Sequence, residues 1–154
     1  MKPFLILQLR PEPAASDNEY QAFLDKGALT PDQTRRIRLE HQDIPADLNL
    51  VDYSGVIVGG GPGCVSDPPD AKSPLDQRIE DAVLALMPEI TERDIPFMGC
   101  CYGIGILAHH LGAEVSKARY GEPVGASTCT QTSEGRTDPM LAGCPETFDS
   151  FVGH

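Results

Sequence analysis

The chain has 154 residues, a length that suits one compact domain at roughly 150 residues per domain. Its 40% hydrophobic and 23% charged residues are the balance of a globular protein rather than a disordered one. Lys and Arg number 12 against 23 Asp and Glu, and the formal charge of −11 argues against nucleic acid or an anionic membrane as main partner. No apolar run approaches the ~20 residues of a membrane span. Gln8 and Arg10 interrupt the first apolar stretch too early for a signal-peptide core, so a cytoplasmic setting is expected. The five cysteines, Cys64, Cys100, Cys101, Cys129 and Cys144, are odd in number and two are adjacent, which favours free thiols over a disulfide framework. No Cys-x-x-Cys spacing offers a zinc site, and neither a metal nor an organic cofactor is expected.

In chain order, residues 3–9 (PFLILQL) read as a buried first strand bounded by prolines. Ser16 and Glu19 form a capping-box pattern that opens a helix with Tyr20, Phe23 and Leu24 on its apolar face and Gly27 as its stop. Residues 35–40 alternate as a half-buried second strand, with Arg35, Arg36 and Arg38 on a solvated face. The β-branched run 53–58 ends in Gly59-Gly60-Gly61-Pro62, where backbone must approach something closely. A long loop to Ser73 follows, and its Asp67-Pro-Pro-Asp70 segment is a candidate lid. Pro74 opens a helix to about Ile90, residues 95–99 form another buried strand, and residues 102–111 a helix that Gly112 ends. This alternation implies βαβ units and a mostly parallel sheet. Residues 115–120, 124–130 and 147–152 read as later strands, a more antiparallel extension of the sheet.

The chemistry concentrates at Gly99-Cys100-Cys101-Tyr102-Gly103. A buried strand runs into glycine-x-nucleophile-x-glycine and turns at once into a helix, the strand-to-helix elbow also found in α/β hydrolases. Flanking glycines allow the tight turn, the helix N-terminus favours thiolate, and the next backbone N–H can bind an oxyanion. Those requirements select Cys101 as nucleophile, with Cys100 pointing back into the strand. Two core cysteines at a glycine-rich turn would also read this way. The position at the carboxyl end of a central strand and the second glycine loop at 59–62 favour a cysteine hydrolase site.

Three segments, 56–62 (VIVGGGP), 96–103 (PFMGCCYG) and 107–115 (LAHHLGAEV), resemble the class I (triad) glutamine amidotransferases, both stand-alone members and the amidotransferase domain of GMP synthase. The similarity continues more weakly through 121–125, 138–141 and 148–154. It implies an α/β, flavodoxin-like, mostly parallel sheet with helices on both faces and a partly antiparallel C-terminal extension. By the same resemblance Cys101 matches the nucleophile that attacks the glutamine side-chain amide, giving a γ-glutamyl thioester and ammonia. Gly61 and Tyr102 match the oxyanion-hole positions, Gly60, Gly103 and Gly105 line the substrate site, and Gly153-His154 matches a short loop that helps hold the substrate. Glutamine or a γ-glutamyl compound is the expected substrate, with a synthetase or acceptor as partner.

Two features depart from the family pattern. Gly105 stands where the family has a glutamine that contacts the substrate, and no His-x-Glu base motif occurs anywhere. His109 is eight residues beyond Cys101, about 12 Å along a helix at ~1.5 Å per residue. His41 precedes the nucleophile and reads as loop polarity, and His154 has no acid after it. The resemblance therefore implies a domain over 1–154 that is incomplete at its C-terminus and, as this chain alone, inactive. The alternatives are a γ-glutamyl peptide hydrolase or related cysteine hydrolase, or a non-catalytic binding subunit.

Overall fold

A computed structural model describes residues 2–121 and 124–152, which fall into two compact units, Met1–Val115 and Ser116–His154. In the first unit β1 (Phe4–Gln8), β2 (Thr34–Arg38), β3 (Gly55–Val58) and β4 (Phe97–Gly99) pair in parallel in the order β2-β1-β3-β4. A flavodoxin-like sheet begins in this order, and its ligands sit where the order reverses between the first and third strands. The register sets Leu7 opposite Val58, and Val58 opposite Gly99. The segments that leave β1, β3 and β4 therefore emerge side by side at one edge.

Side-chain alternation decides what covers each face. Leu5, Leu7, Val56 and Val58 join Ile79, Val83, Met87, Ile90, Tyr102 and Ile106 in one core, so α2 (Pro74–Leu84), α3 (Met87–Glu92) and α4 (Tyr102–His110) lie on that face. Ile6 and Gln8 point to the other face, beneath α1 (Pro13–Gly27). Besides buried Leu24, polar contacts hold this helix: the Gln8 amide donates to the Ser16 carbonyl at 2.7 Å, and Tyr20 Oη lies 2.7 Å from Thr34 Oγ1. Next to α1, Phe4, Phe23, Leu29, Ile57 and Met98 line an apolar cavity of about 360 Å³.

Several expectations are corrected. Ser16 does not cap α1: the helix begins at Pro13, whose fixed φ and missing N–H suit the first turn, and Ser16 is buried one turn inside. The single helix 74–90 is two, because Pro88 lacks an N–H and its ring conflicts with the carbonyl four residues back, so the chain breaks between Leu84 and Met87. The basic cluster of β2 is a solvated face only at Arg35, which is exposed and donates to Tyr53 Oη at 2.6 Å. Arg36 donates 3.0 Å to Ser16 Oγ, pairs with Asp17 at 2.8 Å and covers the Tyr20 ring, while Arg38 pairs with Glu40.

In the second unit, residues expected as a strand at 115–120 form the short helix α5 (Lys117–Tyr120), because the Ser116 hydroxyl caps the Arg119 N–H at 3.3 Å. The expected antiparallel pairing is present between β5 (Gly125–Thr130) and β6 (Thr147–Val152), with Cys129 opposite Phe148, as a separate two-stranded sheet. Among the described residues no helix is long and apolar enough to cross a membrane.

Candidate active site

The turn from β4 into α4 has the geometry expected of an elbow. Cys101 is exposed and adopts φ 51°, ψ −104°, a conformation few non-glycine residues hold. Both flanking glycines are required by space. A Cβ on Gly99 would lie 2.5 Å from the Ile104 nitrogen, and one on Gly103 would lie 2.5 Å from the Val58 carbonyl oxygen. No real Cβ sits so near backbone, so any side chain at either position would push α4 off the strands. The Cys100 N–H continues the ladder to Val58 O at 2.9 Å, which anchors the strand side of the turn.

The glycine loop after β3 lies directly against this elbow. A Cβ on Gly60 would be 3.3 Å from Cys101 Cβ, and one on Gly61 would be 3.2 Å from the Tyr102 ring and 3.3 Å from Leu9. The Gly60 N–H donates to Glu19 Oε1 at 2.8 Å. Among the described residues neither the Gly61 nor the Tyr102 N–H donates a hydrogen bond. Both donors belong to the two turns that meet beside the exposed thiol.

Glu19 reaches this loop from α1 and is held on all sides. Its Oε1 also accepts Arg10 Nε at 3.1 Å, and its Oε2 accepts the Gln8 amide at 2.9 Å. On the opposite face, the Tyr102 hydroxyl donates to Glu80 Oε2 at 2.6 Å, and Lys72 Nζ pairs with the same carboxylate at 2.7 and 2.9 Å. Burial, the bond to Glu80 and that carboxylate's charge push the Tyr102 phenol far up. The ring also fills the space beside Gly63, where a Cβ would meet it at 2.8 Å. The loop between β3 and α2 is thereby pinned to both helices. Burial first, then the negative charge of Glu19 and the neighbouring Cys101, raise the Cys100 thiol above its ordinary range.

The structure therefore brings together Cys101, Gly60, Gly61, Tyr102 and Gly103. Gly105 lies one turn on, with only Val65 Cγ2 near its Cβ direction, at 3.8 Å. Gly153 and His154 lie outside the described residues. His109 and His110 close the last turn of α4, where His110 Nε2 meets Thr91 Oγ1 at 3.1 Å. Cys64 Sγ contacts Ser66 Oγ at 3.1 Å. Among the described residues no three His, Cys, Asp or Glu side chains converge as a metal site would require. Arg10, Glu19, Lys72 and Glu80 were not legible as site residues. The one signal, for Glu19 alone, is Gln8, a polar residue inside an apolar strand that must find a partner.

Comparison with known proteins agrees with this geometry. The profile of the family "Glutamine amidotransferase class-I" matches residues 31–154. GMP synthase (glutamine-hydrolyzing) of Ligilactobacillus salivarius is 30% identical over 133 residues, covering 79% of this chain and 22% of that protein. The GMP synthase of Thermomicrobium roseum is 29% identical over 128 residues, covering 78% and 21%. The chain thus spans about a fifth of these relatives. Among solved structures, a glutamine amidotransferase from Methylobacillus flagellatus superposes with a TM-score of 0.70 at 22% identity, covering 100% of this chain and 55% of that one. One from Thermotoga maritima gives 0.71 at 21%, covering 100% and 61%. The parallel β2-β1-β3-β4 sheet, the cysteine elbow and a family match over most of the sequence agree: this chain belongs to the class I glutamine amidotransferases.

Proposed function

We propose that the chain carries the amide-cleaving half of a glutamine amidotransferase reaction. The supporting observation is the Cys101 elbow seated against the Gly60-Gly61 loop. Cys101 Sγ, as thiolate, attacks the side-chain amide carbon of glutamine. The carbonyl oxygen becomes an oxyanion, which accepts hydrogen bonds from the Gly61 and Tyr102 N–H groups. Collapse breaks the C–N bond, the nitrogen takes a proton and leaves as ammonia, and a γ-glutamyl thioester remains. Water then adds to the thioester carbon, giving glutamate and the free thiol. Gly60 and Gly103 let the substrate and the helix approach closely, and the ammonia passes to a synthetase domain or acceptor. A cytoplasmic setting accords with five free cysteines.

Gly105 favours a second reading, cleavage of a γ-glutamyl peptide or related amide. The family's substrate-contacting glutamine is missing there, and a Cβ would meet only Val65, at 3.8 Å. No His-x-Glu pair occurs in the sequence, so as this chain alone we expect little or no turnover. The test measures ammonia release from glutamine and amine release from γ-glutamyl peptides, alongside labelling of Cys101 by the diazoketone analogue of glutamine. Labelling with little turnover supports the reading. Labelling of another cysteine, or none, sinks it. Rapid turnover refutes the reading that the chain lacks its base.

A further inference from the structure

We infer that Arg10 is the anion-binding residue of this site and recognises the α-carboxylate of a γ-glutamyl substrate; the inference rests on the reading of Cys101 as nucleophile. Arg10 follows β1 at the same sheet edge as the elbow. A Cβ placed on Gly60 would lie 2.7 Å from Arg10 Nη2 and 3.3 Å from Cys101 Cβ. One glycine therefore separates the guanidinium from the nucleophile. Any side chain at Gly60 would fill the space between them.

The guanidinium is presented rather than consumed. Only its Nε is engaged, donating to Glu19 Oε1 at 3.1 Å, and among the described residues neither Nη group has a hydrogen-bond partner. Its side chain is 35% exposed, while that of Glu19 is 12% exposed. Glu19 is thus the buried anchor and Arg10 the reachable head. The Gln8 amide and the Gly60 N–H hold Glu19 in turn, so the fork has a fixed orientation before any ligand arrives.

The other cations near this edge are spent. Lys72 is tied to Glu80 on the opposite face, and Arg36 is tied to Ser16, Asp17 and the Tyr20 ring. A γ-glutamyl compound brings a carboxylate that needs a cation in a chain of net charge −11. The planar fork of Arg10 supplies two N–H groups suited to it. Gly105 offers no side chain for the purpose, so recognition shifts from α4 to the end of β1.

The test uses the full chain and three probes of Cys101: the diazoketone analogue of glutamine, its α-methyl ester, and iodoacetamide, each followed by mass and peptide mapping. The wild type is expected to label faster with the acid than with the ester. Arg10→Ala should slow labelling by the acid about tenfold or more, the size of a lost charge-assisted hydrogen bond. It should slow the ester and iodoacetamide far less, by the loss of a nearby cation alone, and Arg10→Lys should fall between. Equal labelling of the wild type by acid and ester overturns the proposal. So does a parallel fall in all three rates, which marks Arg10 as structural. If the ester labels Cys101 at least as fast as the acid, carboxylate recognition fails and the nucleophile stands. If neither reaches it, the nucleophile reading fails and this inference with it.

Discussion

Gly103→Ala and Gly105→Ala place the same methyl group two residues apart on one helix and should move stability in opposite directions. At 103 the new carbon would sit 2.5 Å from the Val58 carbonyl oxygen and 2.9 Å from Val58 Cγ1, both in a buried strand. Neither can yield without displacing β3 or α4. Overpacking of this kind costs about 1–3 kcal/mol, against roughly 0.5–1 kcal/mol gained from alanine's better helix propensity. At 105 the same carbon meets only Val65 Cγ2, at 3.8 Å, so the propensity gain stands alone. The two variants should therefore differ by about 2 kcal/mol, or roughly 4–8 °C in Tm for a protein of this size. Urea unfolding followed by far-UV circular dichroism, with thermal scans, reads the difference. Gly103→Ala should also slow iodoacetamide labelling of Cys101, because the elbow must shift. Equal stabilities, or Gly105→Ala as the weaker variant, would refute the packing account of the elbow.

Three further outcomes are expected. Glu80→Gln leaves Lys72, whose side chain is only 8% exposed, without its counter-charge; a loss of about 3–5 kcal/mol in urea unfolding is expected, and less than about 1 kcal/mol would mean that water reaches the pair. The Tyr102 phenol is raised above its ordinary 10.0, so its contribution is complete below pH 10 and is lost as pH rises above it, where the unfolded chain releases the proton and the folded chain retains it. Tyr102→Phe should flatten that alkaline decline in urea midpoints, and an unchanged slope would contradict it. Because burial and Glu19 raise the Cys100 thiol, its alkylation at pH 8 should be slower in the native chain than in urea, and Glu19→Gln should speed the native reaction; peptide mapping checks both.

The elbow was legible because its demands are local: a short apolar strand, two glycines and the start of a helix lie within a few residues of Cys101, although Met98 within that strand is exposed rather than buried as expected. Three of the parallel strands were legible for a similar reason, since β1, β3 and β4 are short apolar runs closed by glycine or proline, and β2 was legible through the alternation of TRRIR. The supports of the site were not. Glu19 stands three residues after Ser16, the spacing of a capping box, and only the tertiary structure reveals that it reaches Gly60 instead, 41 residues away. Arg36 looked like one of three exposed arginines because alternation along β2 cannot say that α1 lies over it. The break at Pro88 could have been read from proline chemistry alone, whereas α5 is one turn long and has no periodicity to detect.

The positive φ of Cys101 has a consequence for how this protein can be altered. A side chain held in such a conformation costs of order 1–3 kcal/mol, and glycine would not bear that cost. The substitution that removes the thiol most completely, Cys101→Gly, should therefore yield a sturdier protein than the one it replaces. At this residue selection for durability and selection for the proposed chemistry pull in opposite directions, and a screen for thermostable variants would tend to erase the proposed nucleophile first.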